Sequence, residues 1–256
     1  MSSSHPFGVF CVLSAMGKSV IEIKDLRFAY PDGTRALNGV TLEVGKGEAL
    51  GLIGSNGAGK STLLLHLNGI LRGEGQVHIL DVEVTEKNAP QLRSRVGMVF
   101  QDPENQLFMP TVYDDVGFGP LHLGRGKAEV DDSVRRALTA VDMLGFIHRT
   151  PHHLSIGEKK RIAIATVLSM DPEILVLDEP SSNLDPRHRR ELMELLERLP
   201  MTKIIASHDL DFISRTCTRV ALLDAGSVMA TGGAAEILGD QTLMGRFGML
   251  EPGGAI

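Results

Sequence analysis

The sequence lacks tryptophan, and among its 256 residues it has only two cysteines, Cys11 and Cys217. Two cysteines are too few for a disulfide framework or a zinc-ligand cluster, and they suit a reducing compartment. Acidic residues outnumber basic ones, and the net charge is −6. A protein that binds nucleic acid usually has a basic surface, so this charge argues against a nucleic-acid partner. No apolar run approaches the roughly 20 residues that cross a bilayer, so the sequence predicts no membrane-spanning helix.

The composition is otherwise ordinary for a folded protein, with 43% hydrophobic and 23% charged residues. The apolar stretch at residues 7–16 is short, and no lysine or arginine precedes it. A disordered extension over residues 1–19 is therefore favoured over the alternative, a signal peptide. Met16 is an alternative start, because regular patterning begins only at Val20.

The segment at residues 54–62 fits the pattern G-x-x-x-x-G-K-[ST], which wraps the phosphates of a nucleotide. An apolar run before it predicts a buried strand, and the leucine-rich run after it predicts a helix, which is the required context. Its glycines permit sharp turns that aim backbone N–H groups at phosphate oxygens. The residues of this phosphate loop are Gly54, Ser55, Asn56, Gly57, Ala58, Gly59, Lys60, Ser61 and Thr62.

Two residues of the phosphate loop have predicted roles of their own. Lys60 supplies a positive charge for the β- and γ-phosphates, and the Ser61 hydroxyl is placed to bind Mg²⁺. The alternative is a glycine-rich turn that merely contains a lysine. The strand, loop and helix in register favour a nucleotide with Mg²⁺ as the ligand.

Two adjacent acids, Asp178 and Glu179, follow an apolar strand predicted at residues 173–177. A continuous apolar run is typical of a buried parallel strand, and ligands collect at the carboxyl ends of such strands. Adjacent acids there are costly unless they face a cation or perform a reaction. Asp178 is predicted to hold Mg²⁺, and Glu179 to orient and deprotonate an attacking water. Solvated turn acids are the alternative.

Three further residues each have a structural and a functional interpretation. His208 ends a predicted strand, and it is either a solvated loop histidine or a group at the γ-phosphate. Tyr30 precedes a turn, where it either packs in a hairpin or stacks on adenine. Ser155 and Glu158 form an S-x-x-E capping box, and Ser155 would also offer its hydroxyl to another phosphate.

The patterning predicts an α/β fold with a P-loop nucleotide-binding core over residues 20–239. Runs at residues 20–26 and 40–44 predict an antiparallel β lobe ahead of the phosphate loop. Between residues 102 and 170 prolines interrupt the pattern, and an amphipathic helix follows at residues 127–144, which predicts an inserted helical lobe. Residues 240–256 form a tail without a recognisable pattern.

These motifs together resemble the ATP-binding subunit of an ABC transporter over residues 20–238. Residues 54–62 resemble the Walker A motif, residues 154–158 the signature, residues 174–179 the Walker B motif and residues 181–185 the D-loop. The resemblance implies that Gln101 is the Q-loop glutamine, which acts at Mg²⁺ and in catalysis. It likewise implies that His208 is the switch histidine and that Tyr30 stacks on adenine.

The resemblance further implies a subunit that hydrolyses ATP with Mg²⁺ and dimerises head to tail. Lys60, Gln101, Glu179 and His208 would then form the catalytic set. The surface facing the second subunit's ATP would include Ser155, Gly157 and Asp185. A homodimer is expected, with a heterodimer as the alternative, and integral membrane subunits are expected to bind it at the cytoplasmic face of the cell membrane.

A finer likeness is to the energy-coupling-factor importers, which include cobalt, nickel and vitamin branches. It is carried by the segments QDPENQLF at residues 101–108 and GEKKR at residues 157–161. Import of a metal ion is therefore the first expectation for the substrate. Ile156 departs from the family, whose signature usually has glycine there. The apolar residues within 106–108 are expected to be exposed and to line a groove for a membrane partner's helix.

Other classes of protein fit these motifs less well. A DNA-maintenance ABC ATPase normally has a long coiled-coil insertion, and a ribosome-bound one has two cassettes in one chain. A small-molecule P-loop kinase would leave the signature and the two acids unexplained. A metal site at His148, His152 and His153 is disfavoured, because no other ligand type lies beside them.

Overall fold

The computed structural model describes residues 18–249, and within them the strands form two separate sheets. Of the predicted N-terminal extension at residues 1–19, residues 1–17, which include Cys11, lie outside the described residues. Ser19 already belongs to the first strand. In chain order the strands are β1 (Ser19–Ala29), β2 (Arg35–Gly45), β3 (Ala49–Ile53), β4 (Glu74–Ile79), β5 (Val82–Glu83), β6 (Val96–Val99), β7 (Ile174–Asp178), β8 (Thr202–Ala206), β9 (Arg219–Asp224) and β10 (Ser227–Gly233).

The larger sheet has six strands in the order β10-β9-β3-β8-β7-β6. Its strands run parallel except for β10, which pairs antiparallel with β9. Every residue of β3, β6, β7 and β8 is buried, which explains why these strands are largely apolar runs in the sequence. Only β8 separates β3 from β7, so the ends of those two strands lie at the same edge of the sheet.

The smaller sheet is antiparallel and has the order β2-β1-β4-β5. Ile21 on β1 pairs with Val44 on one side and with Ile79 on the other. All three side chains are buried, and they belong to one apolar cluster with Leu50 of β3. The smaller sheet is therefore fixed to the larger one through a shared core.

The helices of the described residues are α1 (Lys60–Leu67), α2 (Ala89–Arg95), α3 (Val112–His122), α4 (Lys127–Ala140), α5 (Ile156–Leu168), α6 (Pro186–Arg198), α7 (Leu210–Thr216), α8 (Ala234–Gly239) and α9 (Gln241–Arg246). Helices α3, α4 and α5 lie between β6 and β7 in the sequence and pack against one another. Their buried faces share an apolar cluster with β7, α6 and α7. Among residues 18–249, no helix is long and apolar enough to cross a membrane.

Helix α3 corrects the expectation that prolines interrupt the chain throughout this region. Thr111 caps it, because its side chain accepts a hydrogen bond from the Asp114 amide. Val112 and Val116 are spaced one turn apart and are fully buried, so packing holds the helix in place. Pro120 lies inside the helix, which continues only to His122.

Two other boundaries differ from the sequence pattern. Helix α4 ends at Ala140 instead of residue 144, and Asp142 then adopts a left-handed conformation with φ 59°. Helix α9 lies in the segment expected to be a featureless tail. Asp240 caps α9 through the Leu243 amide, and Met244 is fully buried, so a single apolar residue anchors a helix too short to show a period.

Candidate functional site

The phosphate loop connects β3 to α1 through a backbone that requires glycine at its first position. Gly54 has φ 149°, and a Cβ atom there would lie 2.2 Å from the carbonyl oxygen of Leu223. Lys60 begins α1, and its Nζ donates hydrogen bonds to the carbonyl oxygens of Gly54 at 2.7 Å and Ser55 at 3.1 Å. Burial lowers the pKa of Lys60, and the nearby Glu179 and Asp178 oppose that shift. The loop therefore encloses an ammonium group at the N-terminus of a helix.

The hairpin between β9 and β10 is hydrogen-bonded to the phosphate loop. The backbone N–H of Gly226 donates to the carbonyl oxygen of Ala58 at 3.0 Å, and the backbone N–H of Asn38 donates to the carbonyl oxygen of Gly226 at 2.8 Å. Gly226 thus holds the loop and is itself held by Asn38, so two distant parts of the chain limit the loop's freedom to change shape.

A cleft of about 400 Å³ opens over the phosphate loop. Tyr30 lies in its wall, where the phenol oxygen is 3.0 Å from the Thr62 hydroxyl and the ring packs edge-on against Phe28 at 5.0 Å. The predicted site residues that line the cleft are Tyr30, Asn56, Gly57, Ala58, Gly59, Lys60, Ser61, Thr62, Gln101, Glu179 and His208. The structure thereby brings together most of the residues that the sequence motifs single out.

Asp178 ends β7 beneath this cleft. Burial raises the pKa of Asp178, and the nearby Ser61 hydroxyl opposes that shift. Its Oδ1 atom is buried and has no hydrogen-bond partner among the described residues. An unpaired carboxylate oxygen beside a hydroxyl is a donor set that suits Mg²⁺, which prefers oxygen ligands.

The carboxylate of Glu179 lies at the cleft wall and is held by residues that follow β8. Its Oε2 accepts hydrogen bonds from the Ser207 hydroxyl at 3.2 Å and the His208 amide at 3.4 Å, and His208 Nδ1 lies 2.9 Å away. Glu179 itself has a left-handed backbone with φ 45°. The His208 side chain is 64% exposed, so its ring remains accessible from the cleft.

The signature loop, residues 154–158, caps α5 as the sequence predicts. Ser155 Oγ accepts from the Glu158 amide, and the Glu158 carboxylate accepts from the Ser155 amide at 2.8 Å. Ile156 is the first residue of α5 and is 37% exposed, and it does not disturb the cap. A Cβ atom at Gly157 would lie 2.6 Å from the His188 ring, so this position has no room for a side chain.

Apart from Gly54, Ser55 and Asp178, which belong to the phosphate loop and the end of β7, three predicted site residues do not line the cleft within one chain. Ser155 and Gly157 lie at the start of α5, and Asp185 caps α6. The hydrogen bond from His188 is the main reason that the pKa of Asp185 is lowered to about 2. Within a single chain, Ser155 and Asp185 act as helix caps, and Gly157 leaves room for the His188 ring.

Two residues near Glu179 received no role from the sequence. Ser207 is fully buried and donates to the Glu179 carboxylate, and Lys160 donates to the backbone around Glu179. Ser207 immediately precedes His208 at the end of a strand, which was a usable signal. Lys160 lies in the quoted GEKKR segment, but nothing in that pattern shows where its side chain points.

The fold and the cleft define a P-loop nucleotide-binding protein with a carboxylate facing its phosphate site. The sequence model of the ABC transporter family matches residues 37–182, and the chain belongs to that family. A putative ABC transporter ATP-binding protein from Geobacter sulfurreducens is 52% identical over 230 residues, which cover 90% of this chain and 92% of that protein. The chain is accordingly an ATP-hydrolysing transporter subunit.

Other similar proteins refine this picture. The energy-coupling factor transporter ATP-binding protein EcfA of Methanothermobacter thermautotrophicus is 46% identical over 91% of this chain and 77% of its own length. The structure of CbiO1 from Clostridium perfringens, part of the ABC transporter complex CbiONQ, has a TM-score of 0.80, 36% identity and coverage of 89% and 94%. The dimeric cassette MJ0796 bound to ADP and Pi has a TM-score of 0.76, 26% identity and coverage of 84% and 98%. These likenesses confirm the predicted fold class and the resemblance to energy-coupling-factor ATPases.

Proposed function

We propose that this subunit powers the import of a substrate through separate integral membrane subunits at the cytoplasmic face of the cell membrane. The position of Glu179, held at the wall of the cleft that contains Lys60, is the observation that carries the part of the proposal concerned with ATP hydrolysis. Similarity to EcfA and to CbiO1 supports an importer of the energy-coupling-factor type. Cobalt or nickel ions are the proposed substrate, on the strength of the segments at residues 101–108 and 157–161.

In this proposal the phosphate loop holds ATP, and the groups around it divide the work of hydrolysis. Backbone N–H groups of the loop and Lys60 stabilise charge on the transferred phosphoryl group. Ser61, Asp178 and Gln101 would hold Mg²⁺, which neutralises phosphate charge when bound. Glu179 accepts the proton of the attacking water, and His208 orients Glu179 and approaches the γ-phosphate.

The position of Tyr30 is compatible with both roles that the sequence left open, which are packing in a hairpin and stacking on adenine. Its ring packs against Phe28 and its hydroxyl reaches Thr62, so it has a structural role in the wall of the cleft. The same position beside the phosphate loop suits stacking on adenine, which is the role that we propose for it.

We further propose that two copies of the chain form a head-to-tail dimer with two shared ATP sites. Ser155, Gly157 and Asp185 lie outside their own chain's cleft, and a second subunit would bring them to its partner's ATP. Ser155 begins α5, so its hydroxyl and the helix N-terminus would face a phosphate. The dimeric arrangement of MJ0796 supports this model.

The proposal predicts that Glu179→Gln binds ATP but hydrolyses it at least about 100-fold more slowly, because the amide cannot accept the proton. With ATP the variant should elute from gel filtration as a dimer. Glu173→Gln, the same change at the opposite end of β7, is the matched control and should retain activity. Wild-type turnover by Glu179→Gln would show that another group acts as the base.

A DNA-maintenance or translation ATPase is the rival function. Co-purification separates the two, because a transporter subunit should remain bound to an integral membrane protein extracted in detergent. Recovery with ribosomes or DNA, and without such a membrane protein, would support the rival.

A further inference from the structure

Lys160 is a buried charged residue on α5 to which neither the motifs nor the proposed mechanism gives a role. It is 5% exposed. Its Nζ donates to the carbonyl oxygens of Glu179 at 3.1 Å and Pro180 at 2.9 Å, and to the Ser182 hydroxyl at 2.9 Å. An ammonium group has three donors, so these three acceptors satisfy it completely. Burial lowers the pKa of Lys160 to about 8, against the opposing effect of Glu179.

The acceptors of Lys160 form the turn that carries Glu179, which we name the catalytic turn (residues 179–182). Its first residue has the left-handed φ of 45°, a conformation that a residue with a side chain keeps only when its surroundings impose it. The Glu179 carbonyl oxygen also accepts from the Ser182 hydroxyl at 2.8 Å, and the Glu179 amide donates to Ala206 at 2.8 Å. Hydrogen bonds on both sides thus fix the backbone of Glu179, and Ser207 and His208 hold its carboxylate.

Helix α5 is tied to the segment after Gln101 in a similar way. Gln106 Nε2 donates to the Ala163 carbonyl oxygen and the Thr166 hydroxyl, each at 2.8 Å, and its Oε1 accepts from the Phe100 amide. The helix that begins with the signature loop therefore contacts the Gln101 segment and the catalytic turn along its length.

We propose that Lys160 is a positioning residue for hydrolysis, whose ammonium group holds the catalytic turn so that Glu179 faces the attacking water. The proposal rests on the proposed role of Glu179. Lys160 does not line the cleft over the phosphate loop, although it lines a neighbouring pocket with Gln101 and Asp178. Its three hydrogen bonds all go to the catalytic turn, so we expect it to act through that turn. Lys160 also links two parts of its own subunit: helix α5, which begins after Ser155, and the turn that carries the Glu179 carboxylate.

The test is Lys160→Met, which keeps an unbranched chain and removes the donors. The carbonyl groups of Glu179 and Pro180 then lose a buried donor, and the turn relaxes. We expect kcat for Mg-ATP hydrolysis to fall at least tenfold while the dissociation constant for ATP stays within twofold, because the phosphate loop is untouched. Lys160→Arg, which keeps the charge and the donors, should have a kcat between those of Lys160→Met and the wild type.

Lys203→Met is the matched control. Lys203 is also buried, at 7% exposure, and its Nζ donates to the carbonyl oxygens of Leu199 and Met201 near the start of β8, away from the catalytic turn. Its replacement should lower the melting temperature about as much as Lys160→Met and leave kcat unchanged. An equal loss of kcat in both variants would mean that stability alone is responsible, and would overturn the proposal.

Two further outcomes would also overturn it. One is a folded Lys160→Met with the wild-type kcat, and the other is a weakened affinity for ATP with kcat unchanged. If the methionine variant does not fold, Lys160→Gln, which keeps neutral N–H donors, takes its place with a smaller expected loss of kcat. Glu179→Gln is assayed alongside: when it is inactive and Lys160→Met is not, only the positioning role fails.

Discussion

Cys217 is a buried thiol at the end of α7, 6% exposed and in contact with the hydroxyl of Thr216. Burial raises the pKa of Cys217 from 9.0 to about 12. Because the thiolate is the reactive form, this thiol should resist alkylation while the protein is folded.

We predict that a Cys11→Ser variant, in which Cys217 is the only thiol, reacts at pH 8 about 1,000-fold more slowly when folded than in urea. The factor follows from the difference between the two pKa values. In the folded protein the rate should keep rising with pH towards 12, whereas in urea it should level off above pH 9. Spectrophotometric thiol titration measures both. Native labelling at the rate seen in urea would contradict the assigned environment.

At the scale of single residues, the sequence predicted which groups lie close together wherever a motif dictates their spacing. The phosphate loop, Asp178, Glu179 and His208 follow strands, and the ends of parallel strands meet at one edge of the sheet. The position of the Lys160 ammonium group could not be predicted, because its acceptors lie in the catalytic turn and the distance of that turn from α5 depends on tertiary packing. Leu107 was expected to be exposed and is buried, while its neighbour Phe108 is 59% exposed.

At the scale of elements, Phe108 and α3 form an exposed apolar surface. The Phe108 ring packs edge-on against Phe118 at 5.2 Å, and Leu121 of the same helix is 61% exposed. Asp115 fixes the segment, because one of its carboxylate oxygens accepts from the Phe108 and Met109 amides at 3.0 Å. A helix of a membrane partner is the occupant that we propose for this surface.

Phe108→Asp should therefore abolish transport in the assembled complex and leave the ATPase rate of the isolated subunit largely intact. A charged side chain prevents an apolar helix from docking, whereas the position is too exposed to affect the core. Met229→Asp, at an exposed apolar residue of β10, is the control and should leave both activities unchanged. Equal loss of transport and ATPase in Phe108→Asp would indicate a folding role instead.

The elements that the sequence predicted best are the buried strands, because an apolar run bounded by polar residues has few other interpretations. Helix α3 was missed because its prolines were taken as interruptions, although Pro110 precedes the cap and Pro120 lies near the last turn. Helix α7 was missed because its 7 residues are too few to show a helical period. It also follows closely after β8, so the segment was interpreted only as the end of that strand.

At the scale of the whole molecule, the shared-site model predicts complementation between two defective subunits. Lys60→Ala disables the phosphate loop, and Ser155→Arg blocks the surface offered to the neighbour, since loss of the cap alone costs only ~1 kcal/mol. In a mixed head-to-tail dimer, one site combines the intact loop of one subunit with the intact Ser155 of the other. In a Glu179→Gln background, we expect about one ATP retained per mixed dimer.

ATP retention is measured after gel filtration, with mixed dimers identified by mass. If each site lay within one chain, every site in the mixture would still carry one defect. Retention no better than that of either mutant alone, with mixed dimers present, would therefore refute the shared site. A purified transporter with one copy of this chain beside a related ATPase would favour the heterodimer.

The order of strands in the larger sheet could not be predicted from the pattern, and it has a consequence for synthesis. Strand β3 leads into the phosphate loop, but both of its neighbours, β8 and β9, come from the last third of the chain. A nascent chain on the ribosome therefore contains its nucleotide motif long before Thr202–Ala206 emerges to pair with β3. We therefore expect ATP to stabilise the finished protein and not the nascent chain, whose nucleotide site is incomplete until β8 has paired with β3.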